Sequence, residues 1–176
     1  MKHQLIIMRH AKATRDDPSI DDFHRPLSER GLSDISRVAK WLTLQDLHID
    51  NILCSTAKRT RQTAQLLCQD AGKDSGIDST KIDWRPTLYL ADTATLLDTI
   101  SHTPTNTQQL MVIGHNPGLE ALLSYLCGDE LPLTNSGQLL TTANIAIVAL
   151  DDGWDSIKPH SGKLLQLMRS KELEQP

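Results

Sequence analysis

Aromatic residues are scarce in this chain of 176 residues: three Trp, two Tyr and one Phe. So few rings cannot form the stacking platform on which proteins hold unpaired bases. The core must therefore be built from Leu, Ile, Val and Ala. Cysteine is scarce as well, and Cys54, Cys68 and Cys127 form no CxxC or zinc-ligand spacing. An odd number of scattered thiols fits a reducing compartment better than a disulfide framework. Positive charge is not in excess, since 18 Lys and Arg face 22 Asp and Glu for a net charge of -4. That removes the basic footprint expected of a nucleic-acid or membrane-surface binder. Long apolar runs are missing too: the first is interrupted at Arg9, and no later one approaches a spanning length. These absences lead us to expect a cytoplasmic protein that binds neither nucleic acid nor membrane, and whose affinity for anions is local.

What is present is a regular alternation. Leu5–Met8, Ile52–Cys54, Met111–Ile113, Ile145–Leu150 and Leu164–Met168 are short, aliphatic and bounded by turn or polar residues, as strands are. Between them, Leu32, Ile35, Val38, Ala39 and Leu42 recur at helical spacing after Ser28, and Ala57, Ala64, Leu67 and Ala71 do so after Ser55. A third helical pattern, Leu119 to Leu126, is opened by Pro117, and a shorter one spans Thr93–Ile100. Loops are expected over 72–80, 103–109 and 128–142. Alternating strands and helices predict an α/β fold, a three-layer α/β/α sandwich with a mainly parallel sheet. The length suits one domain, which we place at residues 1–170, with a flexible tail over 171–176.

In such sheets ligands sit beyond the carboxyl ends of the strands. There the chain places Arg9 and His10 after the first strand, Ser55 to Arg59 after the second, and Gly114, His115 and Asn116 after a third. Lys58, Arg59 and Arg61 crowd the start of a helix, where the macrodipole disfavours cations, and such broken rules tend to mark sites. Helical side chains lean toward the N-terminus, so Arg59 can reach back to an anion at the rim, whereas Lys58 and Arg61 fit a solvated face. Two guanidinium groups, Arg9 and Arg59, would balance a phosphate dianion. A neutral imidazole is a good nucleophile toward phosphorus, and flanking arginines keep it neutral, which suits His10. His115 would donate to a nonbridging oxygen. The other histidines lack such settings.

Arg9-His10-Ala11 followed by Lys12, together with DDFHRPLSERG (Asp21–Gly31), STAKRTRQTA, LYLADTATLL and GHNPGLEALLSYLCG, resembles the histidine phosphatase superfamily. The signature of that family is an Arg-His-Gly tripeptide after the first strand, the RHG motif. The RHAK form is similar to the branch of the bacterial phosphohistidine phosphatase, and the likeness runs from about Gln4 to Gly128. The resemblance implies a phosphoglycerate mutase-like fold and a hydrolase needing neither metal nor other cofactor. It implies His10 as the residue that becomes phosphorylated, with Arg9, Arg59 and His115 completing the phosphate pocket and Arg25 lining its entrance. The partner would be a histidine-phosphorylated protein or a small phosphorylated metabolite.

Larger relatives use a carboxylic acid from a segment after the second helix, and here only Asp92, Asp98 and, from elsewhere, Asp22 could stand in. A missing acid, typically worth about two to four powers of ten in rate, harms an alkyl phosphate far more than a phosphoramidate. A phosphohistidine substrate is thereby favoured over small phosphomonoesters. Other readings are a phosphate-binding regulatory module without turnover, a mutase, and a cysteine phosphatase built on Cys54. The last requires five residues between Cys and Arg, and this chain has four between Cys54 and Arg59.

Overall fold

The computed structural model describes residues 3–15, 17–45, 47–72, 76–128 and 130–174. Strand β1 (His3–Arg9) is buried over Leu5–Met8. Successive strand side chains point to opposite faces, so Ile6 and Met8 enter one apolar cluster while Leu5 and Ile7 enter another. With both faces apolar, the sheet needs helices on each side. Helices α1 (Glu29–Thr43) and α2 (Lys58–Ala71) cover the first cluster through Ile35, Val38, Ala64 and Leu67. Helices α3 (Thr93–Ser101) and α4 (Gly118–Cys127) cover the second through Leu96, Ile100, Leu122 and Leu126. Each of the buried Val, Leu and Ile side chains contributes about 1.5–3 kcal/mol, which offsets the entropy of ordering.

The other strands are β2 (Asn51–Ser55), β3 (Ile82–Arg85), β4 (Gln109–Gly114), β5 (Ile145–Leu150) and β6 (Gly162–Met168). The sheet runs β3-β2-β4-β1-β5-β6, parallel from β3 to β1, with β5 and β6 added antiparallel. This is the expected three-layer α/β/α sandwich. Its topology places β4 between β1 and β2, with Arg9 level with Gly114 and Cys54 level with Ile113. The three strand ends therefore deliver their next residues side by side at one rim.

Some expectations change. Strand β3 was not foreseen, because IDWR is short and only half-buried, with one aliphatic residue. Helix α4 begins at Gly118, with Pro117 at its cap, one residue later than expected. A short 3-10 helix, Ser170–Glu174, runs into the tail expected over 171–176. Buried Ser170 anchors it, donating from N to Asn144 Oδ1 at 3.1 Å and from Oγ to Thr142 O at 3.1 Å, while Leu173 packs on the first cluster. Residues 175–176 of that tail, and 73–75 and 129 of the expected loops, lie outside the described residues. Among the described residues no helix is long and apolar enough to cross a membrane.

Candidate active site

His10 follows β1 directly, and its backbone N–H continues the β1–β4 ladder to Gly114 O at 3.1 Å. The loop beyond is tied to α2, where Thr63 Oγ1 accepts from Ala11 N at 3.1 Å and donates to Arg59 O at 2.7 Å. The buried imidazole is therefore fixed by its neighbours. Its Nε2 faces Arg59 Nε at 3.2 Å and its Nδ1 faces Ala11 O at 2.7 Å. A guanidinium can only donate and a carbonyl can only accept. The proton must sit on Nδ1, so Nε2 is unprotonated and its lone pair accepts from Arg59 Nε–H.

Arg59 stands in the first turn of α2, whose N-cap Ala57 supplies no side-chain cap. Thr60 closes that turn instead, donating to Ser55 O and Ala57 O at 2.8 Å each. The guanidinium is only 2 % exposed. Besides His10, its Nη2 reaches His115 Nδ1 at 3.2 Å and Asp22 Oδ2 at 2.9 Å, and its Nη1 donates to Asp22 O. By the same donor logic His115 Nδ1 accepts, so its Nε2–H donates to Ser55 Oγ at 2.8 Å. His10 and His115 lie with ring centroids 5.2 Å apart. The expected role of His115 as a donor to phosphate is thus not set up in this state, because both ring nitrogens are engaged by protein.

Arg9 reaches across the rim, donating from Nη1 to Leu140 O at 2.8 Å. That carbonyl also accepts from Asn116 Nδ2 at 2.8 Å, and Glu120 holds its segment by accepting from Leu139 N and Leu140 N at 3.0 and 2.7 Å. Arg9 Nε is buried and unpartnered among the described residues. A buried charged donor without an acceptor costs more than the roughly 1–3 kcal/mol of a neutral group, so Nε is a donor open to an acceptor entering the cleft. All four expected residues, Arg9, His10, Arg59 and His115, line one cleft of about 1070 Å³, and Arg25 lies on its wall. Arg25 donates to Thr14 O at 3.3 Å and to Asp22 Oδ1. Lys58 and Arg61 lie exposed, Arg61 over the Trp84 ring.

Electrostatics follow from this packing. Burial, reinforced by the charges of Arg59, Arg9 and Arg25 against an opposing bond to Ala11, lowers His10 from 6.5 to about 3. Burial, then the proximity of His10 and Arg59, lowers His115 likewise to about 3. Both imidazoles are neutral at pH 7. For Asp22 the largest single influence, burial, pushes upward. Hydrogen bonds from Tyr89 (2.7 Å) and Arg59, with the Arg59 charge, overcome it and hold the carboxyl well below the usual range. Asp22 is therefore a carboxylate, not an acid.

The other candidate acids are elsewhere. Asp92 caps α3, accepting from Thr95 N at 2.9 Å, and neither it nor Asp98 lines the cleft. Cys54 is buried in the first cluster, its Sγ donating to Ser55 O and Thr60 O, and burial pushes its thiol upward, which disposes of the cysteine phosphatase. Among the described residues no group of His, Cys, Asp or Glu is arranged to hold a metal ion.

Sequence reasoning missed Ser55, Tyr89, Asn116 and Glu120. Tyr89 bonds Asp22 and stands edge-on to His115 at 5.4 Å. Ser55 and Asn116 adjoin expected site residues and could have been weighed, whereas Tyr89 and Glu120 act through contacts distant in sequence.

The model of the histidine phosphatase superfamily (branch 1) matches residues 5–84. The phosphohistidine phosphatase SixA of Escherichia coli K12 is 30% identical over 151 residues, 85% of this chain and 86% of that protein. An uncharacterised protein of Mycobacterium tuberculosis, Rv1276c, is 30% identical over 162 residues, 90% of this chain and 96% of that one. Among solved structures, the protein histidine phosphatase SixA complexed with tungstate superposes with a TM-score of 0.78 at 26% identity, covering 97% of this chain and 99% of that one.

Proposed function

The chain belongs to the histidine phosphatase superfamily and is a phosphatase, and from that premise we propose that it hydrolyses phosphohistidine on a protein through a covalent intermediate on His10. The observation that carries the proposal is the unprotonated Nε2 of His10, set by the Nδ1–H bond to Ala11 O and covered in the free protein by the Nε–H of Arg59. A module that only bound phosphate would have no need of a neutral, aimed imidazole.

In this reaction the Arg59 Nε–H turns from His10 to a phosphate oxygen, and the uncovered Nε2 of His10 attacks phosphorus in line. The substrate P–N bond breaks, and the substrate imidazole, protonated on its other nitrogen, departs as a neutral ring. Arg59 and Arg9 hold the nonbridging oxygens, the latter through its unpartnered Nε. The incoming dianion takes over donors of Arg59 that Asp22 occupies in the free protein. Its charge also favours the cationic form of His115, which then donates from Nδ1. Water attacks the phosphorylated His10 in the second step, releasing phosphate and restoring the lone pair. Arg25 holds the Asp22 segment at the entrance.

The substrate class follows from Asp22. Asp22 is held ionised, Asp34 is paired with Arg37 and Arg30, and Asp92 lies outside the cleft, so none of these candidate carboxyls is placed to protonate a poor leaving group. An alkoxide is disfavoured, whereas a phosphohistidine ring already protonated on its other nitrogen leaves as neutral imidazole without an enzyme acid. The test compares a histidine peptide charged with phosphoramidate, an aryl phosphate and glycerol phosphate. We expect kcat/KM for the peptide to exceed that for glycerol phosphate by about two powers of ten or more. Equal rates on the two would favour a general phosphomonoesterase.

A further inference from the structure

The cleft is far larger than one phosphate needs, and its outer wall is cationic. Beyond Arg9, Arg25 and Arg59 it is lined by Lys12, Arg15, Arg30 and Lys171. Its carboxylates are Asp22, Glu29 and Asp34. Asp22 is committed to Arg25 and Arg59, and Asp34 to Arg37 at 2.6 Å and Arg30 at 3.9 Å. Lys12, Arg15 and Lys171 have no carboxylate within 4.0 Å among the described residues. In a chain of net charge -4 such a concentration of positive charge around one opening is a local feature. Clefts of one sign focus the field and raise the encounter rate of the opposite sign.

These cations stand on anchored backbone. Lys12 O accepts from Ser28 N and Ser28 Oγ at 2.9 and 3.0 Å. A Cβ on Gly31 would lie 2.2 Å from that carbonyl, so only glycine lets α1 approach so closely. Ala13 bridges Leu27, and Thr14 N donates to Pro26 O at 2.9 Å, which fixes the strip leading to Arg15. Lys171 follows Ser170, which is pinned to Thr142 and Asn144. Two separate elements, the loop after β1 and the last 3-10 helix, thus bring cations to one opening.

We propose that Lys12, Arg15 and Lys171 form a second anion subsite, which docks carboxylates flanking the phosphohistidine on an acidic protein surface. This rests on the phosphohistidine reading and adds the character of the partner to it. The spread over two elements fits a protein surface, and the charge complementarity fixes its sign. Rim charges act chiefly on encounter, so they raise kcat/KM, leave kcat alone and weaken with salt.

The test uses two histidine peptides of equal length charged with phosphoramidate, one with Asp and Glu flanks and one with Asn and Gln flanks. Wild type is compared with the combined Lys12→Gln, Arg15→Gln, Lys171→Gln variant and with Lys163→Gln, an exposed cation on β6 outside the cleft. The triple variant should lose about tenfold in kcat/KM on the acidic peptide, as three exposed charges each worth a few-fold imply, with kcat unchanged. It should keep its rate on the neutral peptide, and Lys163→Gln should change neither. Equal kcat/KM on both peptides in wild type, or an equal loss on both in the triple variant, overturns the subsite and leaves the phosphohistidine reading intact. Turnover of an aryl phosphate with neither peptide hydrolysed overturns both.

Discussion

Arg59 points its Nε–H at the Nε2 lone pair of His10 across 3.2 Å, while its Nη2 reaches His115 Nδ1 at the same distance. One buried guanidinium thus orients both imidazoles and holds its charge between them. A lysine at this place carries the same charge but only one nitrogen, and cannot serve both rings. Arg59→Lys should therefore lose about two to three powers of ten in kcat/KM, comparable to the loss of a preorganised donor. Steady-state kinetics on a phosphohistidine peptide checks this, and a loss below tenfold would mean that charge alone suffices.

Acid should destabilise the fold through the same two rings. His10 and His115 sit at about 3 in the folded state against 6.5 for a free imidazole. Between those values the unfolded chain binds protons that the folded chain does not. Stability is therefore full above pH 6.5 and is lost as pH falls, each ring contributing up to about 1.4 kcal/mol per pH unit. Asp22, lowered rather than raised, keeps its contribution down to about pH 4 and does not enter this window. Urea denaturation at pH 7, 6 and 5 should show a shallower decline for His10→Asn than for wild type. Parallel declines would contradict the assignment.

Asp22 occupies donors of Arg59 and Arg25 that a bound phosphate would use. Neutralising it in Asp22→Asn should tighten binding of inorganic phosphate several-fold, read as a lower inhibition constant. Weaker binding would show that Asp22 chiefly positions the arginines and does not compete with the ligand.

Gly31→Ala tests the close approach beneath Lys12. Alanine in a helix is normally worth about 1 kcal/mol more than glycine. Here its Cβ would meet Lys12 O at 2.2 Å, and the crowding should reverse the sign, costing about 1–3 kcal/mol in chemical denaturation. A stabilised variant would show that the loop yields freely.

Most of the architecture was legible because Leu5–Met8, Ile52–Cys54 and Met111–Ile113 are aliphatic runs ended by polar groups, and such runs belong in a buried sheet. The four-way convergence of Arg9, His10, Arg59 and His115 was legible because each follows a strand end or opens a helix. Tyr89 and Glu120 were not, since their value comes from bonds to Asp22 and to Leu139 and Leu140, far away in sequence. The short final 3-10 helix was not legible because the segment after Ser170 is polar, while Ser170 is anchored through a side chain of Asn144 that no local pattern announces. Which proton sits on which imidazole nitrogen is likewise a property of the assembled network, and spacing carries no sign of it.

Rapid quenching of the enzyme during turnover of a radiolabelled phosphohistidine protein tests the central claim most directly. We predict an acid-labile, alkali-stable phosphoenzyme whose label maps to His10 by peptide mass spectrometry and disappears with activity in His10→Ala. Wild-type turnover by His10→Ala, with no label trapped on either protein, would contradict it.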